Sequence, residues 1–161
     1  MRICADSSFL VRLYDPLRPV EETDAIRLYL ARDRKAVSVS ELCRIEVLNV
    51  LLRKVETGAA AKRFEDDLAE GLRLRLESVD WPDTFQQAES MARRFSRVLR
   101  PGGHDLVLVA AAVAMGATWF LSFDRNSRQR PLASAAGLKV WPQLDKDEKG
   151  LVKHATQVSR S

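Results

Sequence analysis

Apolar positions fall in short runs and helical stripes that alternate along the chain. Ile3 to Ala5 is a brief apolar run that ends at Asp6-Ser7-Ser8, polar side chains suited to capping the amphipathic stretch Phe9 to Tyr14. This predicts a strand followed by a helix. Pro16 and Pro19 punctuate the chain before a helix over about Glu21 to Arg32, and a second strand is predicted at Ala36 to Val39. Leu42, Ile45, Leu48, Leu52 and Val55 recur at helical spacing up to Gly58, and Phe64, Leu68 and Leu72 predict a helix over Ala59 to Leu74. A strand at Leu76 to Val79 and a helix from Asp83 to about Leu99 follow. Arg100-Pro101-Gly102-Gly103 is the strongest loop signal, and the helix it opens at His104-Asp105 is apolar all round through Met115, hence central. Thr118 to Leu121 and Leu138 to Trp141 read as the last strands, with a turn at Ser122 to Asn126.

Strands alternating with helices predict an α/β layer fold with a mainly parallel sheet and functional groups beyond the strand C-termini. The periodicity lapses after Leu144, so the expected domain spans 1–144 and the polar segment 145–161 is expected to be a frayed or disordered tail. Composition adds little to this picture and excludes several others. The 161 residues are 46% hydrophobic and 30% charged, with seven glycines and six prolines and no repeat, which fits one domain and sets aside solenoid, collagen-like and disordered chains. A net charge of +4 permits polyanion binding without demanding it. Cys4 and Cys43 are too few for a disulfide scaffold or a cysteine zinc site. Asp6 comes too early for a signal peptide and no apolar stretch is long enough to span a bilayer, so a cytoplasmic protein that does not enter the membrane is expected.

The chemistry is in the carboxylates. Asp6 and Asp124 fall at the carboxyl ends of predicted strands, Glu46 in the second turn of its helix with no cation three or four residues away, and Asp105 in the first turn of the most apolar helix. Each has an ordinary reading, as a helix cap, a turn former or a half-exposed acid. Taken together, acids crowded at a ligand-binding edge repel one another unless cations are bound. Carboxylates without His or Cys favour Mg²⁺ or Mn²⁺, and few carboxylates per ion leave room for water and a substrate phosphate.

This arrangement resembles the PIN-domain family and, within it, the VapC-like toxins of type II VapBC toxin–antitoxin pairs. The resemblance rests on Asp6-Ser7-Ser8-Phe9-Leu10 after an N-terminal strand, Ile45-Glu46-Val47-Leu48, His104-Asp105-Leu106-Val107-Leu108, and Ser122-Phe123-Asp124-Arg125, and it extends to about Leu144. It implies a three-layer α/β/α domain and a metal-dependent endoribonuclease that cuts RNA with a metal-activated water. It assigns Asp6, Glu46, Asp105 and Asp124 as the catalytic, metal-holding quartet, with Ser8 and Ser122 as supporting polar groups. It also implies a cognate antitoxin and a homodimer, with Mg²⁺ as cofactor and Mn²⁺ as an alternative. Glu41 is less suited than Glu46, which alone has an apolar residue, Ile45, before it as in the family's motif.

Arg93, Arg97 and Arg100 share one helical stripe, and Arg125, Arg128 and Arg130 follow Asp124. They are candidate contacts to RNA phosphates, or simply a solvated face and a basic loop. Trp81, Trp119 and Trp141 are assigned to core or interface, and His104 to a local hydrogen bond. Two other readings remain: an RNA-processing or DNA-structure nuclease of the same family, and a nonenzymatic module that uses an acidic cleft to bind a partner.

Overall fold

The computed structural model describes residues 1–15, 17, 21–33, 35–54 and 58–159. Pro16, Pro19 and Val55, used in the sequence reading, lie outside the described residues. The elements are β1 (Ile3–Ala5), α1 (Ser7–Tyr14), α2 (Glu21–Arg32), β2 (Val37–Ser40), α3 (Glu41–Lys54), α4 (Ala59–Glu70), β3 (Leu74–Glu77), α5 (Trp81–Leu99), α6 (Gly103–Ala114), β4 (Trp119–Leu121), α7 (Gln129–Ala135), β5 (Lys139–Trp141) and α8 (Lys146–Val158). The strands form a five-stranded sheet in the order β3-β2-β1-β4-β5, flanked by helices, which is the expected α/β class. The chain divides into two compact units, Ala5–Ser78 and Met1–Cys4 with Val79–Ser161.

In the unit Ala5–Ser78, β2 pairs in parallel with β3, from Val37 opposite Leu74 to Ser40 opposite Glu77. Both faces of β2 are buried, as suits a strand covered by crossover helices. The stripe that α3 buries is Cys43, Val47 and Leu51, four residues apart. This corrects the Leu42–Ile45–Leu48–Leu52 face read from the sequence: Ile45 is 64% and Leu52 62% exposed. Helix α4 stops at Gly71, whose φ of +68° is the left-handed conformation that glycine adopts without a Cβ clash. The helix therefore ends short of Leu74, Leu72 is left in solvent, and β3 begins two residues earlier than expected.

In the other unit, β4 pairs in parallel with β5. Helix α5 starts at Trp81, because Asp80 caps it by accepting the Asp83 N–H at 3.0 Å and Pro82 is tolerated in a first turn. It buries Thr84, Ala88, Met91, Phe95 and Leu99 along one stripe. Ala88, Met91, Phe95 and Leu99 share a core cluster with Val109, Ala110 and Ala112 of α6, Leu132 and Ala133 of α7, and Ala155 of α8. Burying Phe95 and Leu99 fully contributes about 1.5–3 kcal/mol each.

The segment expected to fray after Leu144 instead forms α8. Asp145 accepts the Glu148 N–H at 2.8 Å, and the Glu148 carboxylate accepts the Asp145 N–H at 2.9 Å, a reciprocal cap that satisfies two otherwise orphaned donors. Glu148 also holds Arg130, which is fully buried, with Nε donating to Oε1 at 2.8 Å. Arg130 further donates to the carbonyls of Ser122, Pro142 and Gln143. The sequence reading placed Arg130 in a basic phosphate-gripping loop. The structure corrects this: with its donors spent inside the fold, Arg130 pins the segment after β4 to α8.

Candidate functional site

Asp6, Ser8 and Glu46 belong to the unit Ala5–Ser78. Asp6 follows β1 directly and is the N-cap of α1, only 3% exposed. Its Oδ1 accepts the Phe9 N–H at 3.0 Å and the Ser8 hydroxyl at 2.7 Å, so the carboxylate has a fixed orientation on a rigid helix end. Glu46 lies half-buried on α3, on the turn after Cys43, whose thiol donates to the Ala5 carbonyl at 3.4 Å. Glu41 accepts the Ser78 hydroxyl at 2.7 Å, a tie to the end of β3.

Asp105, Ser122 and Asp124 belong to the other unit. Asp105 is half-buried in the first turn of α6, less enclosed than the apolar character of that helix suggested, and its Oδ2 accepts the Gly102 N–H at 3.0 Å. A Cβ at Gly102 would meet this Oδ2 at 3.4 Å, an ordinary contact. Asp124 sits beyond β4 in a turn in which its Oδ1 accepts the N–H groups of Asn126 and Ser127 at 2.9 and 3.0 Å. Ser122, fully buried, accepts the Asp124 N–H at 3.1 Å through its hydroxyl, and its own carbonyl takes a guanidinium N–H from Arg130. The structure thus brings Ser8 to Asp6 in one unit and Ser122 to Asp124 in the other. Both aspartates follow a strand, and both carry two donors on Oδ1.

Among the described residues, no three of His, Cys, Asp and Glu are grouped closely enough to hold a metal ion. The donor chemistry nonetheless suits a hard divalent ion: carboxylates with hydroxyl neighbours, and neither thiolate nor imidazole in the set. Asp6 and Asp124 each accept two hydrogen bonds on Oδ1, the kind of support that orients a carboxylate for a metal ion.

The candidate phosphate contacts divide. Arg93 is spent on an ion pair with Glu89 one turn away, in keeping with the solvated-face reading, while Arg125 is exposed beside Asp124. Arg97 and Arg100 line an open cavity of about 580 Å³ with Arg128 and His154. The sequence reading missed the part played by His154, because it placed His154 in a frayed tail.

A five-stranded parallel sheet flanked by helices, with Asp6 and Asp124 each following a strand, defines the class of fold. A family model for the PIN domain matches residues 3–131, and the chain belongs to the PIN-domain family. Its fold is that of VapC20 from Mycobacterium tuberculosis, a toxin that cleaves the sarcin–ricin loop, with a TM-score of 0.59, 22% identity, and coverage of 84% of this chain and 95% of that one. It is likewise similar to VapBC2 from Rickettsia felis, solved bound to a DNA fragment from its promoter, with a TM-score of 0.65, 12% identity, and coverage of 90% and 100%. No curated protein matches the chain significantly. No helix among the described residues is long and apolar enough to cross a membrane.

Proposed function

We propose that the chain is a divalent-metal-dependent endoribonuclease of the VapC toxin kind, in which Asp6, Glu46, Asp105 and Asp124 hold Mg²⁺ or Mn²⁺. The observation that carries the reading is the like construction of Asp6 and Asp124 on a PIN scaffold: each follows a strand, each is oriented through Oδ1 by two donors, and each has a serine two residues away. Held there, a divalent ion would supply a water of lowered pKa and positive charge against the leaving oxygen. The protein's own part is to fix the carboxylates before substrate arrives, through the α1 cap, the α6 cap and the Asp124 turn. Ser8 and Ser122 are positioning groups.

A partner protein belongs to the same proposal. Leu28 of α2 and Ile45 and Leu52 of α3 are 71%, 64% and 62% exposed, apolar side chains that an antitoxin or a second copy of the chain would cover. The test is cleavage of labelled single-stranded RNA by purified chain, freed of any bound partner, in Mg²⁺, Mn²⁺ or EDTA, beside folded Asp6→Asn. Metal-dependent cutting lost in the variant supports the reading. Equal cutting by both points to a contaminating nuclease, and cutting of structured DNA but not RNA moves the chain to the DNA-structure branch of the family.

A further inference from the structure

The C-terminal segment contributes more than a cover for α7. Helix α8 lies beyond the residues that match the family model, and its Leu151, His154 and Val158 line the same cavity as Arg97 and Arg100 from the end of α5 and Arg128 from the start of α7. Among the described residues, no carboxylate lines it. Among the described residues, Arg97, Arg100, Arg128 and His154 make no ion pair, whereas Arg93 on the same helix is paired with Glu89. Three arginines and a histidine therefore line one groove with no counter-charge among the described residues.

Arg100 adds an independent observation. It ends α5 with φ of +50°, the only non-glycine residue in the left-handed region among the described residues. A glycine adopts that conformation more easily, so what the chain gains there is the guanidinium itself. Arg100 opens the loop that leads to Asp105, and Arg128 stands four residues after Asp124, so the segments bearing two of the proposed metal-holding acids each continue into the groove.

We infer that this groove is an RNA-binding subsite that takes the phosphates of a single strand beside the cut. Arginines fork onto phosphate oxygens, while Leu151, Val158 and the His154 ring offer apolar and stacking surface to sugars and bases, the pairing by which single strands are held without sequence readout. A simple acidic peptide would use the charges but leave the apolar wall idle. The inference rests on the ribonuclease reading.

The experiment is fluorescence anisotropy of a labelled single-stranded RNA oligonucleotide with the full chain in EDTA, so that binding is read without cutting. Wild type is compared with Arg97→Gln/Arg128→Gln, with Arg100→Gly, and with Arg93→Gln as a control off the groove. Each groove arginine removed should weaken binding about threefold at moderate salt and lower the slope of log affinity against log salt by about 0.7, the single-strand value per phosphate contact. Arg93→Gln should change neither. Unchanged affinity and slope in the folded double variant overturn the groove while leaving metal-dependent cleavage by wild type, and with it the nuclease reading, intact. A polyglutamate peptide that competes as well as RNA at equal charge also overturns it, assigning the groove to an acidic protein. Wild type that neither binds RNA in EDTA nor cuts it with metal overturns both.

Discussion

Glu148→Ala tests whether the C-terminal helix anchors the loop that carries Asp124. The substitution removes two bonds from the fully buried Arg130, to Oε1 at 2.8 Å and to Oε2 at 3.3 Å, together with the bond from the Asp145 N–H at 2.9 Å. The guanidinium keeps its carbonyl acceptors at Ser122, Pro142 and Gln143 but loses its counter-charge. Breaking a buried ion pair from one side costs about 3–5 kcal/mol, and the lost half of the cap adds to it. Against a total stability of about 5–15 kcal/mol this is a large fraction, and at this chain length it corresponds to a fall in Tm of about 6–20 °C. Urea unfolding followed by circular dichroism reads it directly. Arg130→Met/Glu148→Leu leaves no charge unpaired and should recover at least about 1 kcal/mol of the loss. Glu148→Ala within about 1 kcal/mol of wild type would refute the assigned role of the pair.

Three further outcomes follow from local geometry. Asp6→Asn keeps an N-cap acceptor for Phe9 and should leave Tm nearly unchanged, whereas Asp6→Ala should lower stability by about 0.5–2 kcal/mol in the same melt. Arg100→Gly relieves a left-handed backbone worth about 1 kcal/mol and gives up a cation at a helix C-terminus worth about 0.3–1, so thermal melts should show it neutral to slightly stabilised; marked destabilisation would contradict the strain argument. Tyr14 donates to Asp67 at 2.5 Å, and burial, then the hydrogen bond and charge of Asp67, push its pKa well above the ordinary 10.0. Folded protein therefore holds this proton after the unfolded chain has lost it: the stabilisation is complete below about pH 10, and from there wild type should lose up to about 1.4 kcal/mol per pH unit as pH rises. In Tyr14→Phe that component is absent, so unfolding curves recorded above pH 10 should converge with those of wild type.

Much of the fold was legible in the sequence because local signals and tertiary demands agree. Strand β1 ending at Asp6, the apolar helix α6 after a Pro-Gly-Gly loop, and the strand before Ser122 are each marked by caps, breakers or runs that have few other uses. Where the reading failed, short-range pattern was ambiguous. Helix α3 has apolar residues on more than one side, so spacing alone did not show that Cys43, Val47 and Leu51 face inward. Helix α8 has a polar composition and buries little beyond Ala155 and Glu148; its one strong signal was Asp145 followed three residues later by Glu148. Arg130 illustrates the general limit. An arginine in a basic loop and an arginine buried on a distant glutamate look alike in one dimension, because the partner lies 18 residues away. Asp6 as a helix cap and Asp124 as a turn former were legible, because the donors that orient them are near neighbours in sequence.

The central claim, that these carboxylates hold the ions that cut RNA, is tested most directly by pairing Mn²⁺ titration with RNA cleavage for wild type, Asp6→Asn, Asp105→Asn and Asp124→Asn, each shown folded by circular dichroism. Wild type should cut only with metal, and every variant should bind Mn²⁺ at least about tenfold more weakly and lose cutting in step. Wild-type affinity for Mn²⁺ and undiminished cutting in the folded variants would contradict it.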